Sequence, residues 1–191
     1  MSIAFDFQPK LVGTHIALRP ATEGDFEPLY AIAADPLIWA VHPVPERSQR
    51  PVFRTYFDDA LGDQGGLVAI DQASGNLAGF SRYSQCFVGP EEIEIGWTFL
   101  GRDYWGGTYN GEMKQLMLAH ALQSFPRVIF RIGEDNVRSR RAIEKIGGTW
   151  IAWHEETVVF GRTFNYVAYE ITRAASQETF TYPSSESRNP S

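Results

Sequence analysis

Ile93-Glu-Ile-Gly-Trp-Thr-Phe-Leu-Gly-Arg-Asp-Tyr-Trp-Gly-Gly-Thr-Tyr-Asn-Gly-Glu112 is the stretch whose reading decides the fold. Residues 93–99 alternate in polarity and favour β-branched and aromatic side chains, which predicts a strand. A glycine-rich loop follows. Over residues 111–125, Met113, Leu116, Met117, Leu118, Ala121 and Leu122 recur at helical spacing. The chain thus makes a strand, a loop whose glycines let a ligand approach the backbone, and a helix start whose unpaired amides attract an anion. The local reading is a phosphate cradle, and its plain alternative is a tight turn. Two nucleotide-binding signatures fit poorly. A Walker A loop would end in Gly-Lys-Ser or Gly-Lys-Thr, and Lys114 lies too far into the helix. A Rossmann fingerprint would open the first βαβ unit, whereas this loop is central.

Outward from this stretch, residues 11–20 predict a strand stopped by Pro20. Thr22-Glu-Gly-Asp25 opens a helix through Phe26, Leu29, Tyr30 and Ile32 that ends near Asp35-Pro36. Residues 38–45, aromatic and broken by prolines, read as an ordered loop or short helix. Residues 49–61 carry Val52, Phe53, Tyr56, Phe57 and Leu61 at helical spacing, and residues 67–70 and 77–83 form a hairpin. The helix over 111–125 is apolar around nearly its whole circumference, which predicts burial on both sides. A strand over 127–132, a helix capped by Asn136 and ended by Gly147-Gly148, and a hairpin of 150–153 with 163–171 around Gly161 complete the order. The fold class is therefore α/β, a single mixed-sheet domain over residues 1–175 with helices on its faces. The Ser-, Pro- and Thr-rich residues 176–191 read as a disordered tail.

The composition agrees with a globular chain. The 191 residues are 43% hydrophobic and 14% aromatic, enough apolar surface to offset chain entropy in one core. A net charge of -6 counts against nucleic acid as a partner, because that affinity comes largely from Lys and Arg on phosphates. No run approaches the ~20 apolar residues of a membrane span. The lone Cys86 cannot form an intramolecular disulfide, and no signal peptide opens the chain, so a cytoplasmic location is expected. The four histidines His15, His42, His120 and His154 have no metal-ligand spacing, so no metal is expected.

The motifs together resemble the GCN5-related N-acetyltransferases (GNAT), in particular the branch like the ribosomal-protein N-acetyltransferases. The resemblance rests on Leu11-x-Gly-x-x-Ile-x-Leu-Arg-Pro20, Glu94-Ile-Gly-Trp97, Tyr104-Trp-Gly-Gly-Thr-Tyr109 with Glu112, and Asn136-x-x-Ser139-x-x-Ala-Ile-Glu-Lys-Ile-Gly147. It implies a splayed, mostly antiparallel mixed sheet with helices on both faces, whose parallel strands near 95 and 130 separate to admit acetyl-coenzyme A. The loop departs from the family pattern in placing Thr108 and Asn110 at two positions usually held by small residues.

The resemblance further implies that acetyl-CoA is the acyl donor. Backbone groups of Trp105, Gly106, Gly107, Thr108, Tyr109, Asn110, Gly111 and Glu112 would hold the pyrophosphate, and the edge of Trp97, Thr98 and Phe99 would pair with pantetheine. Asn136 and Ser139 would face the same ligand, or serve as a helix cap and a first-turn polar residue. Arg138, Arg140 and Arg141 would meet phosphates or form a solvated face. Transfer to an amine needs a base, oxyanion donors and an acid for the departing thiolate. Glu94 is the expected base, against a structural carboxylate. Glu92 would share its side of the strand unless a bulge intervenes. The tyrosine that many relatives use as the acid is matched here by Glu144, which leaves Ser139 and Tyr109. Trp39, His42, Arg82 and Tyr83 are the expected acceptor-reading residues, together with Trp97, and large aromatics there also read as core.

The function expected is acetyl transfer from acetyl-CoA to a primary amine, small-molecule or peptide, by direct attack in a ternary complex. The acidic balance mildly favours cationic acceptors. The alternative is a catalytically weak acyl-CoA-binding module of the same fold. A homodimer formed through exposed aromatics is a further expectation.

Overall fold

The computed structural model describes residues 5–179. Its centre is an eight-stranded sheet in the order β1-β2-β3-β4-β5-β6-β8-β7. The strands are β1 (Leu11–Val12), β2 (Ile16–Pro20), β3 (Gly66–Asp71), β4 (Leu77–Ser84), β5 (Glu92–Leu100), β6 (Arg127–Gly133), β7 (Thr149–Val159) and β8 (Arg162–Thr172). The helices are α1 (Phe26–Ala33), α2 (Pro36–Trp39), α3 (Arg50–Gly62), α4 (Tyr109–Ser124), α5 (Val137–Lys145) and α6 (Arg173–Thr179).

Every neighbouring strand pair is antiparallel except β5 and β6. These two are parallel and pair only over Glu92↔Arg127, Ile93↔Val128 and Glu94↔Ile129. Beyond Glu94 they part, so the sheet opens into a wedge with Glu94 at its apex. The sheet is covered on both faces. Ile16, Leu18, Tyr83, Ile93, Ile95, Val128, Phe130 and Tyr169 pack with Met113, Met117 and Leu118 of α4 and Ile143 of α5. On the other side Val68, Phe80 and Phe99 pack with Phe26 and Leu29 of α1, Trp39 of α2 and Phe53 and Phe57 of α3. Burying these aromatics is the main source of stability, at roughly 1.5–3 kcal/mol per large side chain.

Several local expectations are altered by tertiary contacts. The strand expected over 11–20 is two strands that pair with each other, Leu11↔Leu18 and Val12↔Ala17. The turn between them is held from afar, because the Glu112 carboxylate of α4 accepts from the amides of Thr14 and His15. Helix α4 buries one face only. Gln115, Ala119 and Gln123 are exposed, while Phe5 and Phe7 of the N-terminal segment cover part of the flank beside His120. The closing hairpin is longer than expected, and its two-residue turn has φ of 48° at Phe160 and 72° at Gly161, the geometry that matches strand twist. Residues 176–179, expected to begin a disordered tail, form the end of helix α6, which pairs Arg173 Nε with the Leu122 carbonyl. The remaining tail residues 180–191 lie outside the described residues.

Candidate active site

The wedge between β5 and β6 continues into a cleft of about 1190 Å³, above the ~300–1,000 Å³ of an ordinary small-molecule pocket. Its floor is the diverging strands, one wall is the 105–112 loop with the start of α4, and the other is α5 with β8 and the segment 38–47.

The loop wall is built for an anion. Among the described residues, the amides of Gly106 to Gly111 find no acceptor, and the first backbone bond of the helix runs from the Glu112 amide to the Thr108 carbonyl at 2.9 Å. Gly106 has φ of 73°, which side chains disfavour. A Cβ built at Gly106 or Gly111 meets nothing within 4 Å, and at Gly107 only the Tyr109 ring at 3.9 Å. This concave backbone, open on the cleft side, fits the pyrophosphate of a coenzyme A donor. Thr108 and Asn110 line the cleft without filling the glycine positions. Across the gap, the Asn136 side chain caps α5 by accepting from the Ser139 amide at 3.1 Å, and both residues also line the cleft. Arg138 stacks on the Trp105 ring at 4.1 Å, linking α5 to the loop. Arg140 instead donates to the Tyr169 hydroxyl and the Glu134 carbonyl on the far side of α5.

On the floor, β5 carries a bulge. Trp97 and Thr98 stand opposite Ser81 alone, between the pairs Phe80↔Phe99 and Arg82↔Gly96. Trp97 has φ of 51°, a strained conformation for a bulky residue, and the Tyr56 hydroxyl holds it by donating to the Trp97 carbonyl. The bulge withdraws β5 backbone from the ladder where Trp97, Thr98 and Phe99 line the cleft.

Glu94 is 3% exposed, and burial pushes its carboxyl up to about 7, against the opposing pull of Arg131. Its Oε2 has no hydrogen-bond partner among the described residues, and Arg131 Nη1 stands 3.6 Å away. Arg131 is shared with Glu155 of β7, so its charge is divided between two carboxylates. Glu92 takes no part in the cleft: it pairs with Arg127 at 2.8 Å and accepts from the Gly89 amide. Lys114 of α4 is buried and lines the cleft; among the described residues its amine donates to the Thr98 and Ser81 hydroxyls and lies 5.6 Å from the Phe130 ring centroid. Burial lowers its amine to about 7, with Glu94 acting in the opposite direction.

The expected acceptor-side residues divide. Trp39 and His42 line the cleft, with the Trp39 indole donating to the Ala33 carbonyl at 2.7 Å. Arg82 and Tyr83 do not. Arg82 pairs with Asp63 and stacks on Trp97, while the Tyr83 hydroxyl donates to the Met117 carbonyl inside the core. The two point to opposite faces of β4, and both faces are covered by helices. Tyr109 also departs from expectation: its hydroxyl donates to Asp71 at 3.0 Å and it lines no part of the cleft. As the first residue of α4 it is rotated toward β3. Glu144 accepts from the Tyr169 hydroxyl at 2.7 Å, away from the cleft. Sequence reasoning missed Lys114, Arg131, Glu155, Tyr166 and Arg47, which all line it. A lysine within the apolar repeat of α4 was the one local signal available.

Residues 15–149 match the family model described as an acetyltransferase (GNAT) domain. The chain belongs to the GNAT family. It is an acetyl-CoA-dependent N-acetyltransferase, and the open backbone cradle and wedge are the features of this chain that suit such a donor. Solved structures share the fold. A probable GNAT acetyltransferase from Chromobacterium violaceum is 18% identical with a TM-score of 0.81, covering 93% of this chain and 92% of that one. Spermidine N-acetyltransferase from Vibrio cholerae, solved with CoA and spermine, is 13% identical with a TM-score of 0.67, covering 86% and 99%. A ribosomal L7/L12 alpha-N-protein acetyltransferase in complex with CoA is 15% identical with a TM-score of 0.69, covering 86% and 98%. No curated protein sequence matches the chain. Among the described residues, no helix is long and apolar enough to cross a membrane, and no group of three or more His, Cys, Asp or Glu is placed to hold a metal.

Proposed function

We propose that Glu94 is the general base of a direct acetyl transfer carried out in this cleft, and that the single observation carrying the assignment is its buried place at the apex of the β5–β6 wedge, with one carboxylate oxygen that accepts no hydrogen bond among the described residues and faces Arg131 at 3.6 Å. Acetyl-CoA, when bound, supplies an activated acyl group. The amides of Gly106 to Gly111 and the N-terminus of α4 hold its pyrophosphate, and the opened edge of Trp97 to Phe99 orients its pantetheine arm. A carboxyl raised to about 7 is matched to its task, since about half of it is ionised at neutral pH and it is basic enough to take a proton from an ammonium, directly or through a water. The freed amine forms a C–N bond to the acyl carbon as the C–S bond breaks. Backbone amides released by the Trp97 bulge steady the developing oxyanion. The Ser139 hydroxyl on the first turn of α5 is the proton donor to the departing sulfur. Tyr109 has no part in this scheme, because its hydroxyl is engaged by Asp71.

The protein acts in the cytoplasm in this reading, on a primary amine of small size or at a peptide terminus. The folded unit in this reading runs through the described residues 5–175 and is extended by α6. The test couples two measurements. Acetyl-CoA at ~100 times its dissociation constant should stabilise the fold by roughly 2.7 kcal/mol. Release of free thiol should then depend on added amine. Stabilisation with no amine-dependent thiol release over a broad panel would favour the acyl-CoA-binding module, which the departures at Thr108, Asn110 and Glu144 motivate.

A further inference from the structure

At the acceptor end of the cleft, the Arg47 guanidinium sits among aromatic rings with no carboxylate paired to it among the described residues. Its carbon lies 4.7 Å from the Tyr56 ring centroid and 5.6 Å from that of Trp39. The carboxylates of this region are engaged elsewhere: Glu94 and Glu155 stand with Arg131, and neighbouring Glu46 with Arg162. Among the described residues, the one polar side-chain contact of Arg47 is Nη1 to His42 Nε2, at 2.9 Å.

That contact is not satisfied as it stands. His42 Nδ1 accepts from the Val44 backbone amide at 2.9 Å, and a backbone amide cannot reverse its role. Burial and the neighbouring Arg47 push the His42 imidazole well below its ordinary value, so the ring is neutral and carries one hydrogen. With Nδ1 accepting, the hydrogen is on Nε2 and faces the guanidinium donor. Two donors converge with no acceptor between them, in a place where both residues line the cleft. A carboxylate completes such a site, since it accepts from a guanidinium fork and an imidazole N–H together.

We propose that the acceptor is a small amine that also bears a carboxylate, an amino acid in chemical class, with its carboxylate seated on Arg47 and His42 and its amine directed to Glu94. Tyr166 lies within electrostatic reach of both Arg47 and Glu94, which puts the two anchors in one neighbourhood. Trp39, Phe87 and Trp97 line the same cleft and offer apolar walls to a side chain. The net charge of -6, which by itself favours a cationic acceptor, is overruled by this local cation. The inference rests on the acetyl-transfer reading and narrows it from amines in general to amino-carboxylates.

The test compares each of the twenty common amino acids with its amide, alongside spermine and peptides with acidic N-terminal residues, all with acetyl-CoA. At least one amino acid should exceed its own amide in kcat/KM by tenfold or more. Arg47→Gln should remove that preference, lowering kcat/KM on the acid by roughly 10- to 100-fold through KM, with a much smaller loss on the amide. Arg47→Lys, which keeps the charge without the fork, should retain part of it. Calorimetric binding of the preferred amino acid to the CoA-saturated protein should weaken in the same order. The melting temperature of each variant, and its rise with acetyl-CoA, confirm that the fold and donor site persist. Loss of the acetyl-CoA shift in the wild type would count against acetyl transfer itself. Amides equal to acids, or spermine or peptides preferred over every free amino acid, in a protein that does bind acetyl-CoA, would overturn the amino-carboxylate assignment alone.

Discussion

Replacing Glu94 by Gln separates chemistry from stability, and the two should move in opposite directions. In the unfolded chain the carboxyl titrates at its ordinary value near 4.5, and in the folded protein burial holds it up to about 7. Between these values the native state keeps a proton that the unfolded state has released, so stability falls as pH rises through the window. A raised carboxyl of this size corresponds to about 3 kcal/mol, felt in full above pH 7 and nearly absent at pH 4.5. Gln keeps the volume and carries no charge. Glu94→Gln should therefore be more stable than wild type at pH 8, by several degrees at roughly 2–4 °C per kcal/mol for a chain this size, with the gap closing toward pH 5. Calorimetry of both proteins from pH 5 to 8 reads this directly. Turnover should fall by about 10²- to 10⁴-fold, and the acidic limb of the wild-type rate profile near pH 7 should vanish. A melting-temperature gap that does not change with pH would show that the carboxylate is not held uncharged by burial. An acidic limb surviving unchanged in the variant would remove Glu94 from the proton transfer.

Lys114→Met tests the second buried group. Its amine falls from 10.5 to about 7 in the folded state, so the wild type gains stability as pH rises from 7 to 10.5, and the variant should be more stable below pH 7, by about 5 kcal/mol at most, with the difference gone by pH 10.5. Gly111→Leu adds a side chain where a Cβ meets nothing within 4 Å; thermal stability should hold or rise by about 0.5–1 kcal/mol while acetyl-CoA affinity, read by calorimetry, drops tenfold or more. Tyr109→Phe removes the bond to Asp71 and should lower the melting temperature slightly with turnover within twofold of wild type; a hundredfold loss of turnover would return Tyr109 to the mechanism.

Much of the loop wall of the cleft was legible in the order of residues because its determinants are local. A period-two strand, a glycine run and a helix start specify the loop wall between Trp97 and Glu112 with no help from elsewhere in the chain. Asn136 reads as a cap for the same reason, since its partner is the amide of Ser139. Glu94 was a candidate through the family resemblance, with alternation placing its side chain on one face of the strand. The bulge that sets the strand edge beyond it was not, because it depends on β4 supplying one residue opposite two and on Tyr56 of α3 holding the Trp97 carbonyl. Tyr109, Arg82 and Tyr83 misled because periodicity places a side chain on a face but does not say what covers that face. The strand over 11–20 divided for a similar reason: the Glu112 carboxylate that ties its turn is almost a hundred residues away.

By itself, then, the sequence determined the class of the protein and the strand–loop–helix unit of β5 and α4, and it offered Glu94 as a candidate base. The tertiary structure decided what that carboxylate is chemically, by burying it beside Arg131 at the point where β5 and β6 part. It also brought to one cleft residues as far apart as Arg47, Lys114, Glu155 and Tyr166, none of which carries a local signature of its place. The physical reason is range. Helix starts, turns and alternation are set by neighbours in the chain, whereas desolvation and the matching of buried charges are set by whatever the packed sheet brings together.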